Sequence, residues 1–220
     1  FSQRQAQNFG LSWKETYLAL LNDLKARNLK LSVDWDLIEP EEGKYDFEDL
    51  DWQINQAEKK GVKLILVVGI KTPRWPECHI PAWAGNLDKR EREKKVLGLI
   101  KEIVGRYRNR NSIWAWQVEN EPFFRFGKCP EFDKKFFEKE IDLVKSINPG
   151  KPVIISESGE FPLWFRAAKY GDIVGTTMYR KVWFKELNSY ITYPFLPIFY
   201  QRKALLINKI FGKKVICVEL

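Results

Sequence analysis

Apolar residues along this chain alternate between a helical and a strand-like spacing, and that alternation sets the first expectation. From residue 13 to 27, Tyr17, Leu18, Leu20, Leu21 and Leu24 supply one apolar face behind Ser12 and Glu15, which have the spacing of a capping box. A short strand over 29–35 comes next. Residues 47–60 predict a helix capped by Asp46, with Leu50, Ile54 and Ala57 inward and Gly61 just past its end. The unbroken run Val62-Lys63-Leu64-Ile65-Leu66-Val67-Val68 predicts a buried strand. The rhythm continues with a helix over 87–107, a strand over 113–118, a helix over 132–147 and a strand over 152–155. A short helix over 164–170 and a strand over 172–176 follow; an aromatic loop over 183–200 leads into a helix over 201–211 and a last strand over 215–218.

Strands that alternate with helices build a parallel sheet with crossover helices. Six strands are counted, and Phe1-Ser2 is read as the stub of an earlier one. A closed (β/α)8 barrel takes ~250 residues, so the expected fold is an incomplete (β/α)8 TIM barrel, with its first strand clipped and its eighth strand and helix absent. No linker or low-complexity stretch divides the chain, so residues 1–220 are expected to form one domain. A doubly wound open sheet shares the alternation. However, no glycine-rich turn follows any strand to cradle a phosphate, whereas polar or aromatic residues gather after nearly every strand.

The charge does not change this picture. Lysine and arginine total 37 against 29 acidic residues, a net +8, but bases and acids interleave in stretches such as Asp88-Lys89-Arg90-Glu91-Arg92-Glu93-Lys94-Lys95. That is the pattern of a solvated helix face, and without a binding motif beside it nucleic acid is not expected as a partner. No apolar run reaches the ~18 residues of a membrane span, and no signal-peptide pattern opens at Phe1, although a leader or anchor could have been trimmed. Of the three cysteines, Cys217 lies in the apolar run Val215-Ile216-Cys217-Val218 and is expected to be buried. Cys78 and Cys129 both follow strands on what would be the same barrel face, within reach of a disulfide. Joined, they would mark an exported or cell-surface protein; unjoined, a cytoplasmic one.

In a barrel the C-terminal strand ends point into one shared mouth, so each is read for chemistry. The second strand ends Asp34-Trp35, the fourth Glu119-Asn120-Glu121-Pro122, the fifth Glu157-Ser158, the sixth Met178-Tyr179-Arg180, and the last visible one Glu219. Glycoside hydrolysis needs one carboxylic acid to protonate the leaving oxygen and one carboxylate to attack, or to activate water, at the anomeric carbon. Glu121 and Glu219 answer that need, and no metal or other cofactor is called for. His79, the only histidine, sits in Pro73-Arg74-Trp75-Pro76-Glu77-Cys78-His79 after the third strand, where it either contacts substrate or braces the loop. Trp75, Trp83, Trp183, Tyr193 and Phe195 are candidate sugar-stacking surfaces, although packing accounts for most tryptophans. Glu39 is assigned to the turn Glu39-Pro40-Glu41-Glu42-Gly43.

The run Trp116-Gln117-Val118-Glu119-Asn120-Glu121-Pro122 is similar to the fourth-strand motif of the clan A glycoside hydrolases, the superfamily of retaining (β/α)8 enzymes. The stretch from Trp35 through Ile38-Glu39-Pro40-Glu41-Glu42-Gly43-Lys44-Tyr45-Asp46-Phe47 resembles the one after the second strand in cellulase-like and β-galactosidase-like members. The resemblance implies a retaining β-glycosidase acting on an oligo- or polysaccharide. Glu121 would be its acid/base, Glu219 its nucleophile, Asn120 a ligand of the sugar 2-hydroxyl, and Tyr179 a hydrogen-bond partner of the nucleophile. Asp34, Trp35, Lys30, His79, Trp75 and Trp183 would contribute to substrate binding. Lys30 stands where the clan commonly has an arginine, which supplies charge without a bidentate fork. The eighth strand, which often brings an aromatic platform, is missing. A non-catalytic carbohydrate-binding barrel, or an inactive truncated one, is the alternative.

Overall fold

Four of the described helices begin where a short polar side chain takes up one of the first free backbone N–H groups. The computed structural model, which describes residues 1–184 and 187–220, shows this at three of the expected helices, of which only the first had its cap foreseen. Ser12 Oγ accepts the Glu15 N–H at the start of α2 (Trp13–Asn22). Asp88 and Glu91 cap each other's backbone at α5 (Lys89–Tyr107). Asp133 accepts the Phe136 N–H at α6 (Lys134–Ile147). A fourth case was not foreseen: Ser2 caps α1 (Gln3–Asn8). Phe1 bonds only briefly alongside the first strand, its carbonyl accepting the Ser32 N–H, before the chain turns into that helix. The second helix ends at Asn22 rather than near 27, because Lys25 adopts φ +50 and turns the chain.

The chain falls into two units, Phe1–Asn120 with Arg125–Val153, and Glu121–Phe124 with Ile154–Leu220. In the first, β1 (Asn28–Ser32), β2 (Lys63–Val68) and β3 (Ile113–Val118) run parallel, with Leu31 beside Leu66 and Leu66 beside Trp116. The one-turn α3 (Trp35–Ile38) and then α4 (Glu48–Lys59) lie between β1 and β2, and α5 lies between β2 and β3. Leu64, Leu66, Val67 and Val68 are fully buried, as are Ile54 of α4 and Leu99, Ile100 and Ile103 of α5. Each such side chain contributes about 1.5–3 kcal/mol by leaving water.

In the second unit β4 (Val153–Glu157, its first residue counted with the first unit), β5 (Ile173–Thr177) and β8 (Lys214–Glu219) are parallel, with Ile155 beside Val174 and Val174 beside Val215. α7 (Phe165–Tyr170) connects β4 to β5. The aromatic segment after β5 corrects the expected loop. Lys181–Phe184 (β6) and Ser189–Thr192 (β7) pair as an antiparallel hairpin, and α8 (Pro197–Phe211) starts four residues before the expected 201, with Pro197 at its first position. Residues 185 and 186 of that segment lie outside the described residues. Cys217 is exposed rather than buried, because β8 is an outer strand of this unit: Lys214 and Cys217 are exposed and the strand's other residues are only half-buried.

The described residues therefore provide six parallel strands and their crossover helices, the repeating units of an incomplete (β/α)8 barrel. None of their helices is long and apolar enough to cross a membrane.

Two features of the first unit carry consequences for stability. Cys78 and Cys129 are joined in a disulfide that closes 51 residues of chain, a constraint of about 4 kcal/mol on chain entropy. Glu119, at the end of β3, has φ +57, and its two carboxylate oxygens accept the N–H groups of Ile70 and Lys71, each at 2.7 Å. Gly69 makes that approach possible, since a Cβ there would lie 2.3 Å from Glu119 Oε1. Burial raises the Glu119 carboxyl to about 6 despite these donors. Burial, with the charge of Glu119 beside it, holds the Glu140 carboxyl of α6 well above the usual range, so it keeps its proton and donates it to Glu119.

Because the folded chain holds these protons more tightly than the unfolded chain, stability falls as pH rises through about 4.5 to 6 and beyond. Glu140→Gln is expected to flatten that fall between pH 5 and pH 8, read by urea unfolding at both values; equal falls in the two proteins would refute the shared proton. Alkylation before reduction is expected to modify Cys217 but not Cys78 or Cys129, as checked by peptide mass.

Candidate active site

Glu121 leaves β3 in a left-handed conformation, φ +42, and with Pro122 starts a tight turn closed by the Phe124 N–H on the Glu121 carbonyl. Within the second unit its own N–H donates to Ser156 Oγ of β4 at 2.9 Å. Its carboxylate, in a side chain 9% exposed, accepts from Thr177 Oγ1 at 3.4 Å. Glu219 ends β8 directly beside Thr177 in the β5–β8 register, after an irregularity between Thr176 and Thr177. Its Oε2 accepts from the Tyr179 hydroxyl, and its backbone carbonyl accepts the Met178 N–H at 3.0 Å. The hydroxyls of Thr177 and Tyr179, two positions apart at one strand end, thus hold one glutamate each. A hydroxyl that donates to a carboxylate favours its charged form and fixes its direction.

Three residues after β4 complete the surroundings of this pair. Glu160 is 4% exposed, with Oε1 accepting the Tyr179 N–H at 3.1 Å and Oε2 accepting from Ser158 Oγ at 2.9 Å. Gly159 N–H donates to Thr177 Oγ1 at 2.9 Å. Glu157 accepts the Ala167 N–H at 3.3 Å, and burial raises its carboxyl. Lys203 of α8 points its ammonium at the Gly159 carbonyl, 2.5 Å away. Glu157 and Ser158 were legible in the sequence, whereas Ser156, Glu160, Thr177 and Lys203 were not; the first three lie at or just after strand ends, and Lys203, inside α8, carried no signal.

The first unit holds the other sequence-derived candidates. Asn120 is 2% exposed, its N–H on the Lys71 carbonyl at 2.7 Å and its Oδ1 accepting from Gln117 Nε2 at 3.2 Å. Asp34 precedes α3, is buried, and accepts from Thr72 Oγ1 at 2.6 Å. Burial raises its carboxyl, with His79 the chief opposing influence. His79 is 3% exposed, its Nε2 lies 4.0 Å from Asp34 Oδ1, and its carbonyl accepts the Asp36 N–H. Trp35 is buried, donating from its indole to Glu39 Oε2 at 2.8 Å and meeting Trp83 edge to face. Lys30 sits half-buried on β1 opposite Ile65. Trp75 is 55% exposed and meets Phe126 edge-on. In the second unit, Trp183 is equally open and meets Tyr190 across the hairpin.

The chain is similar to known glycoside hydrolases. A glycoside hydrolase family 42 profile, described as beta-galactosidase, matches residues 12–87. A mannan endo-1,4-beta-mannosidase F of Aspergillus clavatus is 30% identical over 119 residues, 50% of this chain and 26% of that protein. An endo-1,4-beta-xylanase 3 of Hypocrea jecorina is 24% identical over 189 residues, 82% of this chain and 51% of that protein. The chain thus spans a quarter to a half of the length of these relatives. Among solved structures, a glycosylated endo-beta-1,4-xylanase of glycoside hydrolase family 10 from Gloeophyllum trabeum superposes with a TM-score of 0.67 at 15% identity, covering 98% of this chain and 68% of that one. In partial sequence and in fold, the chain is similar to glycoside hydrolases of clan A.

Proposed function

We propose that this chain, as one catalytic domain over residues 1–220, hydrolyses β-glycosidic bonds in an oligo- or polysaccharide with retention of configuration. The observation that carries the reading is the pair of hydroxyls at the end of β5, Thr177 on Glu121 and Tyr179 on Glu219. Glu219, oriented by Tyr179 and kept anionic by that donor, attacks the anomeric carbon while Glu121 gives its proton to the leaving oxygen. Glu121 then takes a proton from the water that displaces the sugar from Glu219, so both carboxyls end as they began. The weak Thr177 contact suits a group that must hold and release a proton, and the left-handed backbone at Glu121 aims it away from the strand.

Asn120 is assigned to the sugar 2-hydroxyl. Asp34, His79 and Lys30 are assigned to polar contacts further along the substrate, Trp75 and Trp183 to stacking on pyranose faces, and Trp35 to substrate binding next to Asp34. The names of the relatives, a mannosidase acting on mannan and a xylanase, favour a β-1,4-linked polysaccharide. The disulfide between Cys78 and Cys129 favours an exported protein.

On an aryl β-glycoside, Glu219→Ala and Glu121→Ala are each expected to lower kcat/KM by roughly three or more orders of magnitude. Azide should rescue Glu219→Ala by forming the glycosyl azide of inverted configuration, detectable by NMR. Near-normal turnover in either variant would rule out the assignment of the two glutamates; no turnover by the unaltered chain would leave a carbohydrate-binding role.

A further inference from the structure

The loop after β4, Ser158-Gly159-Glu160, is hydrogen-bonded to the partner of each glutamate. Glu160 accepts the backbone N–H of Tyr179, the residue whose hydroxyl meets Glu219. Gly159 donates to Thr177 Oγ1, which engages the oxygen lone pairs and leaves the hydroxyl hydrogen for Glu121. Only glycine lets the loop lie this close, because a Cβ at 159 would stand 1.7 Å from the Thr177 carbonyl oxygen.

A carboxylate as buried as Glu160 is costly unless donors and a counter-charge replace its water. Ser158 and the Tyr179 N–H supply the donors, and Lys203 supplies the charge. Lys203 is 6% exposed. It bonds the Gly159 carbonyl and lies 4.0 Å over the Trp164 ring, whose indole N–H reaches the Ser158 carbonyl at 2.9 Å. Burial pulls its ammonium down to about 8, with Glu160 and Glu157 opposing. Two ionisable groups held inside the protein around a three-residue loop are more than chain reversal requires.

We propose that Glu160 is a positioning residue for the nucleophile, acting through Tyr179, and that the 158–160 loop anchored by Lys203 aligns Glu121 and Glu219 together. The proposal rests on the catalytic reading of those two glutamates. Freed of Glu160, the Tyr179 backbone shifts, its hydroxyl withdraws from Glu219, and the charged form of Glu219 loses a donor.

The test follows the Glu219 carboxyl by carbon-13 NMR titration of the whole chain, the signal being assigned by its loss in Glu219→Gln. Tyr179→Phe is expected to raise the Glu219 midpoint by about one pH unit, and Glu160→Ala by about half of that. Glu160→Gln, which still accepts the Tyr179 N–H, should return close to wild type. Adding Glu160→Ala to Tyr179→Phe should move Glu219 no further than Tyr179→Phe alone. In turnover, Glu160→Ala should lower kcat roughly tenfold with KM unchanged and move the acidic limb of the pH profile by the same interval. If Glu160→Ala does not fold, Glu160→Asp, one methylene short of the Tyr179 N–H but still charged beside Lys203, carries the same expectation.

An unmoved Glu219 midpoint, or a shift that adds in full to that of Tyr179→Phe, overturns the proposal. The titration needs no turnover. The expected shifts in a chain that hydrolyses no glycoside would therefore sink the catalytic reading while upholding the link from Glu160 to Glu219.

Discussion

A carboxylate removed from water must find its donors within the protein, and both units meet that demand at the ends of their strands. Glu119 takes two backbone N–H groups and a proton shared with Glu140. Glu121 is met by the Thr177 hydroxyl, Glu160 by Ser158 and the Tyr179 N–H, and Glu157 by the Ala167 N–H. In a parallel sheet the strand ends are where this is feasible, since ladder bonding stops there and N–H groups become free. The acids and the loop conformations therefore specify one another: moving a loop strands a buried charge, and neutralising a charge releases a loop.

The backbone shows the same dependence. Glu119 and Glu121, two positions apart, both adopt positive φ, which side-chain-bearing residues adopt at a cost. The donors that receive their carboxylates hold them there. Gly69 and Gly159 serve the opposite need, letting a neighbouring carboxylate or carbonyl come closer than any Cβ would allow. Glu119 and Glu121 thus place conformational cost at the end of β3, whereas Val153-Ile154-Ile155 of β4 are buried and apolar.

Much of the fold could be read from local signals. Ser12 with Glu15 marks a helix start because a cap is satisfied within three residues. The run over 62–68 marks a buried strand because a strand covered on both faces needs no polar alternation. The hairpin of β6 and β7 escaped because its pattern, Lys181-Val182-Trp183 against Ser189-Tyr190-Ile191-Thr192, is carried by large aromatics that also populate loops. The expected burial of Cys217 failed because the composition of a strand does not reveal which of its faces will be covered.

The sequence by itself determined the alternation of the main strands and helices, the Ser12 cap and the presence of acids at strand ends, all of which depend on neighbours a few residues apart. The resemblance of Asn120-Glu121-Pro122 to a known motif singled out Glu121, Glu219 and Tyr179 in advance. Only the tertiary structure decided that Thr177 and Tyr179 each take one glutamate, that Cys78 bonds Cys129, and that Glu160 and Lys203 stand behind Tyr179. These pairings join residues 19 to 56 positions apart, and they depend on strand register and loop backbone, which no local pattern encodes.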